Sequence, residues 1–246
     1  ERNQPAGCCE PSSSCCDPSV ETAFNEAYDH LEGYNPDADL NLGCGLPTEY
    51  ARIQPGDTVL DLGSGAGNDV FVARSLTGET GRVIGVDMTE AMVARAEQNR
   101  RKLGFDNVEF LLGEIEELPL PDNSVDVAIS NCVMNLVPDK QKAYAEVHRV
   151  LRPGGHFSIS DIVTVGELTP EVREAAALYA GCVSGALQKE DYLAAIAEAG
   201  FENIKIDKER LIDLPDELLL EHLDAADLSA FRESGSSIYS INVYAE

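Results

Sequence analysis

The stretch VLDLGSGAGN, residues 59–68, joins an apolar run to a loop that contains three glycines. The apolar run is typical of a parallel strand that is buried on both faces. Gly63, Gly65 and Gly67 follow it at once, and glycine allows both a sharp turn and the close approach of a ligand to the backbone. A tight strand–helix turn without a ligand has the same composition. The surrounding pattern therefore has to decide what the loop does.

Outward from this loop, apolar runs and helical patterns alternate regularly between residues 58 and 163. The predicted strands are 58–63, 82–88, 107–113, 124–131 and 155–163. The predicted helices between them are 69–78, 89–104 (with Thr89 as N-cap and Gly104 after its last turn) and 140–151. Strands rich in Val, Ile and Leu that alternate with helices are typical of a parallel sheet covered on both faces. The predicted fold class is therefore α/β, with a doubly wound Rossmann-like sheet.

The pattern divides the chain into three regions. Residues 1–19 are rich in Pro, Ser and Cys and are predicted to form a flexible arm. Residues 20–163 form the predicted ligand-binding domain, and residues 164–246 form a small α+β region made of a helical insertion and closing strands. Further predicted helices are 20–31, 46–54, 169–181 and 189–200, and the predicted closing strands are 201–209 and 236–246.

Acidic residues flank the glycine loop, and they favour a cationic ligand. Asp61 lies in the strand before the loop, and Asp87 ends the next strand, where an acidic residue accepts hydrogen bonds from ribose hydroxyls. Asn68 stands where a dinucleotide loop would have its third glycine, and Asp61 would repel a diphosphate. S-adenosylmethionine carries an amino group and a sulfonium but no phosphate, so it fits better than a nicotinamide dinucleotide. Glu114, after the third strand, can accept from an adenine amino group.

Ligands of open α/β sheets bind outside the carboxyl ends of the strands. The residues predicted to bind S-adenosylmethionine therefore lie at or just after the carboxyl ends of four strands. They are Asp61, Gly63, Ser64, Gly65, Gly67, Asn68, Asp87, Met88, Gly113, Glu114, Ile115 and Asn131.

The chain carries 18 Lys and Arg against 44 Asp and Glu, a formal net charge of −26 spread along its whole length. Such a charge repels phosphates, so neither nucleic acid nor an anionic membrane is an expected partner. It indicates either the hydrated surface of proteins from salt-loving organisms or the attraction of a cationic substrate. The sequence contains no run of 18 apolar residues and no secretion signal pattern. Together with single, scattered cysteines, this favours a cytoplasmic location.

Three of the seven cysteines stand alone, and all three can reach the carboxyl edge of the predicted sheet. Cys132 directly follows the fourth strand, and Cys182 lies in the insertion after the fifth. Cys44 precedes a predicted helix whose rise of about 14 Å matches the length of a strand. A buried structural role is the alternative for each of them, because cysteine is a common small core residue.

Four stretches resemble the class I S-adenosylmethionine-dependent methyltransferases: LDLGSGAGNDVF, GVDMT, GEIEELPLPDNSVDVAISNCVMNL and VLRPGGHFSISDIV. Together with NLGCGLP and ALYAGCVSGAL, they resemble the arsenite methyltransferases. The resemblance extends from about residue 40 to the end of the sequence, and the three cysteine contexts are what is specific to the arsenite branch.

The resemblance implies that Cys44, Cys132 and Cys182 bind trivalent arsenic and act as the catalytic residues. Soft thiolates prefer soft centres, and the arsenic lone pair would attack the sulfonium methyl in line. Arsenite or methylarsenite is then the small-molecule substrate, and a thiol reductant of the glutathione or thioredoxin type is a partner. Residues 20–163 become the methyltransferase domain, and residues 164–246 become the cover of the arsenic site.

The remaining cysteines, Cys8, Cys9, Cys15 and Cys16, form two adjacent pairs in the arm. Their spacing does not suit a zinc site, whose ligand pairs are usually two to four residues apart. We expect them to be accessory arsenic ligands, with a passive disordered tail as the alternative. Two other functions stay open: a methyltransferase for a small organic carbon or oxygen nucleophile, and a non-catalytic metalloid-binding protein.

Overall fold

A computed structural model describes residues 25–179 and 181–246 of the chain. In this part, seven strands form one sheet in the order β3-β2-β1-β4-β5-β7-β6. The strands are β1 Thr58–Leu62, β2 Arg82–Asp87, β3 Val108–Leu112, β4 Val125–Asn131, β5 Leu151–Val165, β6 Lys205–Ile212 and β7 Ser237–Ala245. The first five strands are parallel, and β7 is antiparallel to both of its neighbours. The predicted doubly wound α/β fold is confirmed.

The helices are α1 Pro47–Tyr50, α2 Asn68–Thr77, α3 Glu90–Leu103, α4 Lys140–Val150, α5 Pro170–Tyr179, α6 Lys189–Glu198, α7 Asp216–Leu219 and α8 Ala225–Glu233. Two 3-10 turns cover Met134–Leu136 and Gly181–Gly185. Gly104 ends α3 in the left-handed region as predicted, and its N–H donates to the carbonyl of Arg100. Thr89 occupies the N-cap position of α3, but its side chain makes no capping hydrogen bond.

Two predicted helices are wrong in extent. The helix predicted over 20–31 is absent from its described part, residues 25–31, which are irregular with a turn at residues 29–30. Tertiary contacts override the helical spacing there, because Tyr28 is buried and donates to Asp69, while Glu26 pairs with Lys208. The helix predicted over 46–54 ends at Tyr50, since Arg52 adopts a left-handed φ of 52° and a Pro-Gly turn follows.

The closing region also differs from the prediction. Its first strand is β6 at Lys205–Ile212 rather than 201–209, and its register shifts between Ile206 and Lys208. The short helices α7 and α8 were not predicted. They contain only a few buried side chains each, so the sequence carries little periodic signal for them.

The core lies on both faces of the sheet, as the apolar strands require. Val59, Leu60 and Leu62 of β1 are fully buried, and so are the rings of Tyr144 and Tyr192. Each large apolar side chain buried in this way contributes about 1.5–3 kcal/mol to folding.

Strand register brings the ends of β1, β4 and β5 to one edge of the sheet. Leu62 lies opposite Ser130, and Asn131 lies opposite Ser160. The glycine loop after β1 and the residue after β4 are therefore neighbours. The elements that follow β5 pack over this edge in an apolar cluster that includes Ile162, Val172 and Phe231.

Candidate active site

The glycine loop turns sharply at the end of β1. Gly63 has a φ of 71°, and a Cβ atom there would lie 2.6 Å from both methyl carbons of Val133. Only glycine meets both demands without strain. The carboxylate of Asp87 holds the loop from the neighbouring strand, accepting from the N–H of Gly65 at 2.9 Å and from the N–H of Thr89 at 2.8 Å.

Three carboxylates give this loop a negative environment. Asp61 and Asp69 are buried, and Asp87 is half-buried. Burial raises the pKa of Asp61 well above its ordinary value, and the charges of Asp69 and Asp87 raise it further. Burial also raises the pKa of Asp69 to about 6, although hydrogen bonds from Asn131 and Tyr28 oppose the shift. Carboxylates crowded in this way are stabilised by a cationic ligand.

Two polar atoms of the loop lack partners among the described residues. The Oγ atom of Ser64 and the Oδ1 atom of Asn68 are buried without a hydrogen bond. Buried polar atoms are usually satisfied, so unpartnered ones at a glycine loop indicate a polar ligand. The loop therefore fits S-adenosylmethionine on its donors, its acceptors and its charge.

The other predicted cofactor residues lie on the same edge. Met88 follows β2 and is 77% exposed, which is unusual for a large apolar side chain. Gly113 and Glu114 follow β3, beside β2, and the Gly113 N–H donates to the carbonyl of Asp87. Ile115 is buried in the core next to them. The structure brings these residues together, and their contacts with a cofactor remain predictions.

The three single cysteines converge. Cys44, Cys132 and Cys182, here called the thiol cluster, are all buried and belong to one apolar cluster. Cys132 links the other two: its sulfur lies within 4.8 Å of the sulfur of Cys44, and it and Cys182 each perturb the pKa of the other. It follows β4 in the left-handed region, with a φ of 62°, and its N–H donates to the carbonyl of Ser160 at 2.8 Å. This bend turns the thiol into the cluster.

The thiols of the cluster are protonated at neutral pH. Burial raises the pKa of Cys44 to about 11 and raises that of Cys132 well above the ordinary value. The neighbouring thiol of Cys132, followed by burial, raises the pKa of Cys182. The cluster is therefore a set of buried, neutral thiols.

Cys44 is held in place by close backbone packing. A Cβ atom on Gly43 would lie 2.7 Å from the side-chain Nδ2 atom of Asn131, and one on Gly45 would lie 2.7 Å from the Oγ atom of Ser160. The two glycines that flank Cys44 therefore allow its loop to approach the ends of β4 and β5. The carbonyl of Cys44 accepts from the hydroxyl of Ser240 at 2.6 Å.

Asn131 joins the Cys44 loop to the cofactor loop. Its Oδ1 atom accepts from the N–H of Cys44 at 3.0 Å, and its amide nitrogen donates to the carbonyl of Gly45 at 2.8 Å and to Asp69 at 3.2 Å. The hydroxyl of Tyr28 donates to Asp69 at 2.9 Å and accepts from Asn131. Asn131 was predicted as a cofactor residue, and this prediction remains untested. Its side chain is engaged within the protein.

Asp161 is a fourth polar group at the thiol cluster, and it was not predicted from the sequence. One of its carboxylate oxygens and the sulfurs of Cys44 and Cys132 lie within 4.8 Å of one another, all buried. Burial raises the pKa of Asp161 to about 7. An acidic residue directly before the apolar run Ile162–Val163 of a predicted buried strand was the signal that could have revealed it, because such residues are buried only with partners.

Tyr28 and Asp69 were also missed. Asp69 directly follows the glycine loop in the sequence, and an acidic residue in that position was a usable signal. No local pattern marks Tyr28, which reaches the site from 41 residues before its partner. Cys8, Cys9, Cys15 and Cys16 lie outside the described residues.

The sheet order and the glycine loop define the fold of the class I, S-adenosylmethionine-dependent methyltransferases. A family model described as a methyltransferase domain matches residues 53–200. The chain therefore belongs to this family of methyltransferase domains.

Similar proteins include several arsenite methyltransferases. The chain is 46% identical over 200 residues to that of Halobacterium salinarum, covering 78% of this chain and 50% of that protein. It is 37% identical over 223 residues to that of Aquipseudomonas alcaligenes, covering 87% of this chain and 63% of the other. The predicted resemblance to this branch is confirmed.

A solved structure shows the same likeness. The crystal structure of an arsenic(III) S-adenosylmethionine methyltransferase from Chlamydomonas reinhardtii matches with a TM-score of 0.68 and 38% identity, over 82% of this chain and 66% of that one. The chain spans about half the length of the curated arsenite methyltransferases it matches. Within the part of the chain described here, no helix combines the length and apolar character needed to span a membrane.

Proposed function

We propose that this chain is an arsenite methyltransferase, which transfers the methyl group of S-adenosylmethionine to trivalent arsenic bound by Cys44, Cys132 and Cys182. The observation that carries the proposal is the convergence of these three thiols at the sheet edge that also holds the glycine loop. The similarity to arsenite methyltransferases supports it.

The raised thiol pKa values are compatible with arsenic binding. Each thiol condenses with one hydroxyl of arsenite: a sulfur–arsenic bond forms, an arsenic–oxygen bond breaks, and the thiol proton leaves with the hydroxyl as water. No external base is needed, because the thiol supplies the proton that the leaving group requires. Three such steps leave arsenic bonded to three sulfurs with its lone pair unshared.

The cofactor supplies a methyl group on a positively charged sulfur. The chain contributes position and charge: the acidic loop around Asp61 and Asp87 attracts a cation, and the thiol cluster fixes arsenic at the adjoining edge. Holding two reactants in position is worth several orders of magnitude in rate. We propose that the predicted cofactor residues, from Asp61 in β1 to Ile115 after β3, bind S-adenosylmethionine and hold it in position.

Methylation oxidises arsenic to the pentavalent state, so turnover needs two electrons from thiols. A thiolate that attacks an arsenic-bound sulfur forms a disulfide and leaves the electron pair on arsenic, which returns to the trivalent state. We propose a reductant of the glutathione or thioredoxin type in this role, which fits the proposed cytoplasmic location.

We propose the following division of labour within the chain. Residues 20–163 bind the cofactor, and residues 164–246 cover the arsenic site with the elements that carry Cys182. The arm, residues 1–19, captures arsenic through its four cysteines. Its removal is expected to weaken arsenite affinity without changing cofactor affinity, and an unchanged arsenite affinity would show it to be a passive tail.

The decisive experiment measures arsenite-dependent consumption of S-adenosylmethionine, with a thiol reductant, by the wild type and by Cys44→Ser, Cys132→Ser and Cys182→Ser. We expect methylated arsenic from the wild type and a large loss in each variant. Joint replacement of Cys8, Cys9, Cys15 and Cys16 by Ser is the matched control, since it removes thiols outside the cluster and should retain turnover at saturating arsenite.

Each alternative predicts a different result. Full turnover in Cys132→Ser, or methyl transfer to an organic acceptor without arsenite, would support an organic nucleophile as substrate. Stoichiometric arsenic capture without any methylated product would indicate a binding protein.

A further inference from the structure

Asp161 lies beside two of the three thiols that are proposed to bind arsenic. It is fully buried in β5, one position beyond the residue opposite Asn131. Its carboxylate oxygen is within 4.8 Å of the sulfurs of both Cys44 and Cys132, which are themselves within 4.8 Å of each other. An atom bonded to both sulfurs would therefore have this carboxylate as a close neighbour.

The hydrogen bonds of Asp161 favour its negatively charged form and oppose the burial that raises its pKa to about 7. The N–H of Ile162 donates to Oδ1 at 2.9 Å, the N–H of Asn135 donates to Oδ2 at 3.0 Å, and the hydroxyl of Tyr192 lies 3.4 Å from Oδ2. All three partners are uncharged donors. Hydrogen bonds from fixed donors stabilise a carboxylate and set its direction without cancelling its charge.

We propose that the carboxylate of Asp161 contacts the bound arsenic and stabilises the positive charge that arsenic acquires when it is methylated. This inference rests on the proposed function. Asp161 is then a catalytic residue that supplies a negative charge beside arsenic, whereas the three thiols serve as its ligands.

The charge balance of the reaction gives the physical reason. The arsenic lone pair forms the new arsenic–carbon bond, and the electron pair of the breaking carbon–sulfur bond stays on the cofactor sulfur. One positive charge thus moves from sulfur to arsenic. A fixed opposite charge beside the atom that becomes charged stabilises the transition state more than the ground state, and in a water-poor site the effect is large. The positive arsenic in turn favours the ionised carboxylate.

A purely structural role is the competing explanation, because Asp161 also anchors the 3-10 turn at Asn135. The two roles differ in what they change. A structural role affects how arsenic is held, whereas a charge effect alters the rate of methyl transfer while leaving arsenic binding intact.

The test compares the wild type with Asp161→Asn, which keeps the shape and removes the charge. Arsenic retained after gel filtration should stay within about threefold of the wild type in affinity, while the single-turnover rate of methyl transfer should fall about 100-fold, as for other fixed charge-stabilising groups. Asp126→Asn is the matched control. Asp126 is a carboxylate at the opposite end of β4, paired with Arg152, and both quantities should be unchanged in that variant.

A second measurement does not depend on turnover. The tetramethylarsonium cation, added without arsenite, should bind to the wild type at least tenfold more tightly than to Asp161→Asn, as measured by ligand-observed NMR. Asp161→Glu, which keeps the charge, should retain at least a tenth of the wild-type rate and serves if the Asn variant does not fold.

Equal methyl-transfer rates, equal arsonium binding or loss of arsenic from Asp161→Asn would each overturn the inference. Failure of the wild type to methylate arsenite would instead contradict the proposed function, and the arsonium comparison would still decide whether this site stabilises a positive arsenic centre.

Discussion

Replacing Asn131 with Ala tests whether this residue is the tether of the thiol cluster. The substitution removes the acceptor of the Cys44 N–H and a donor to Asp69. An unsatisfied buried donor costs about 1–3 kcal/mol, and a hydrogen bond to a charged group contributes about 1.5–3 kcal/mol. Because the two losses share one network, we expect a combined cost of about 3 kcal/mol rather than their full sum.

For a chain of this size, 1 kcal/mol corresponds to about 2–4 °C in melting temperature. Asn131→Ala should therefore melt about 6–12 °C below the wild type when followed by circular dichroism. Arsenite affinity should fall at least tenfold, since the Cys44 loop loses its hold on β4. Affinity for S-adenosylmethionine should change less than threefold, because the glycine loop is held by Asp87 instead.

Gln141→Ala is the matched control. Gln141 is exposed on α4 and its side-chain amide donates to the side chain of Glu198, so its loss should cost less than about 0.5 kcal/mol. The reasoning is refuted if Asn131→Ala melts within 2 °C of the wild type. If cofactor affinity falls while arsenite affinity holds, the role predicted from the sequence, a cofactor contact, is the correct one.

Three further predictions concern the cofactor loop and the charge of the chain. Gly63→Ala should destabilise the chain by about 2–4 kcal/mol and abolish cofactor binding, because a methyl group there is placed on a left-handed backbone and also clashes with Val133. Gly104→Ala is the control: its φ is similar but no atom lies within 4 Å, so it should cost only about 1–2 kcal/mol. Equal losses of unfolding free energy in the two variants, measured by calorimetry, would contradict the clash. The contribution of Asp69 to the stability of the cofactor-free chain should decrease as pH rises from about 4 to 6, because a carboxyl whose pKa is raised to about 6 in the folded state binds its proton more tightly there than when unfolded. Urea titrations at several pH values should therefore show that the unfolding free energy depends differently on pH in the wild type and in Asp69→Asn. Finally, the net charge of −26 predicts a melting temperature that rises between 0.1 and 1 M KCl, as the screening length shrinks from about 10 to 3 Å, and a flat response would exclude a halophilic surface.

Much of the fold could be predicted from local pattern. Strands β1 to β5 and helices α2 to α4 were predicted within a few residues because each carries a strong apolar period and marked ends. The segment around Tyr28 shows where such reasoning fails. Its helical spacing is real, but a buried hydrogen-bond network formed with Asp69 and Asn131 holds it in an irregular conformation. Local preference is worth a few tenths of a kcal/mol per residue, and tertiary contacts outweigh it.

The candidate site, like the fold, has features that the sequence predicts and features that only the tertiary structure shows. The sequence by itself determined the α/β class, the glycine loop with Asp61 and Asp87, and the choice of Cys44, Cys132 and Cys182, because these depend on residue type and order along the chain. Tertiary structure alone decided that the three thiols meet around Cys132, that Asn131 ties Cys44 to the cofactor loop, and that Asp161 faces the sulfurs. The physical reason is that these contacts join residues 29 to 117 positions apart, whose distances are set by strand register and by packing after β5 rather than by any local pattern.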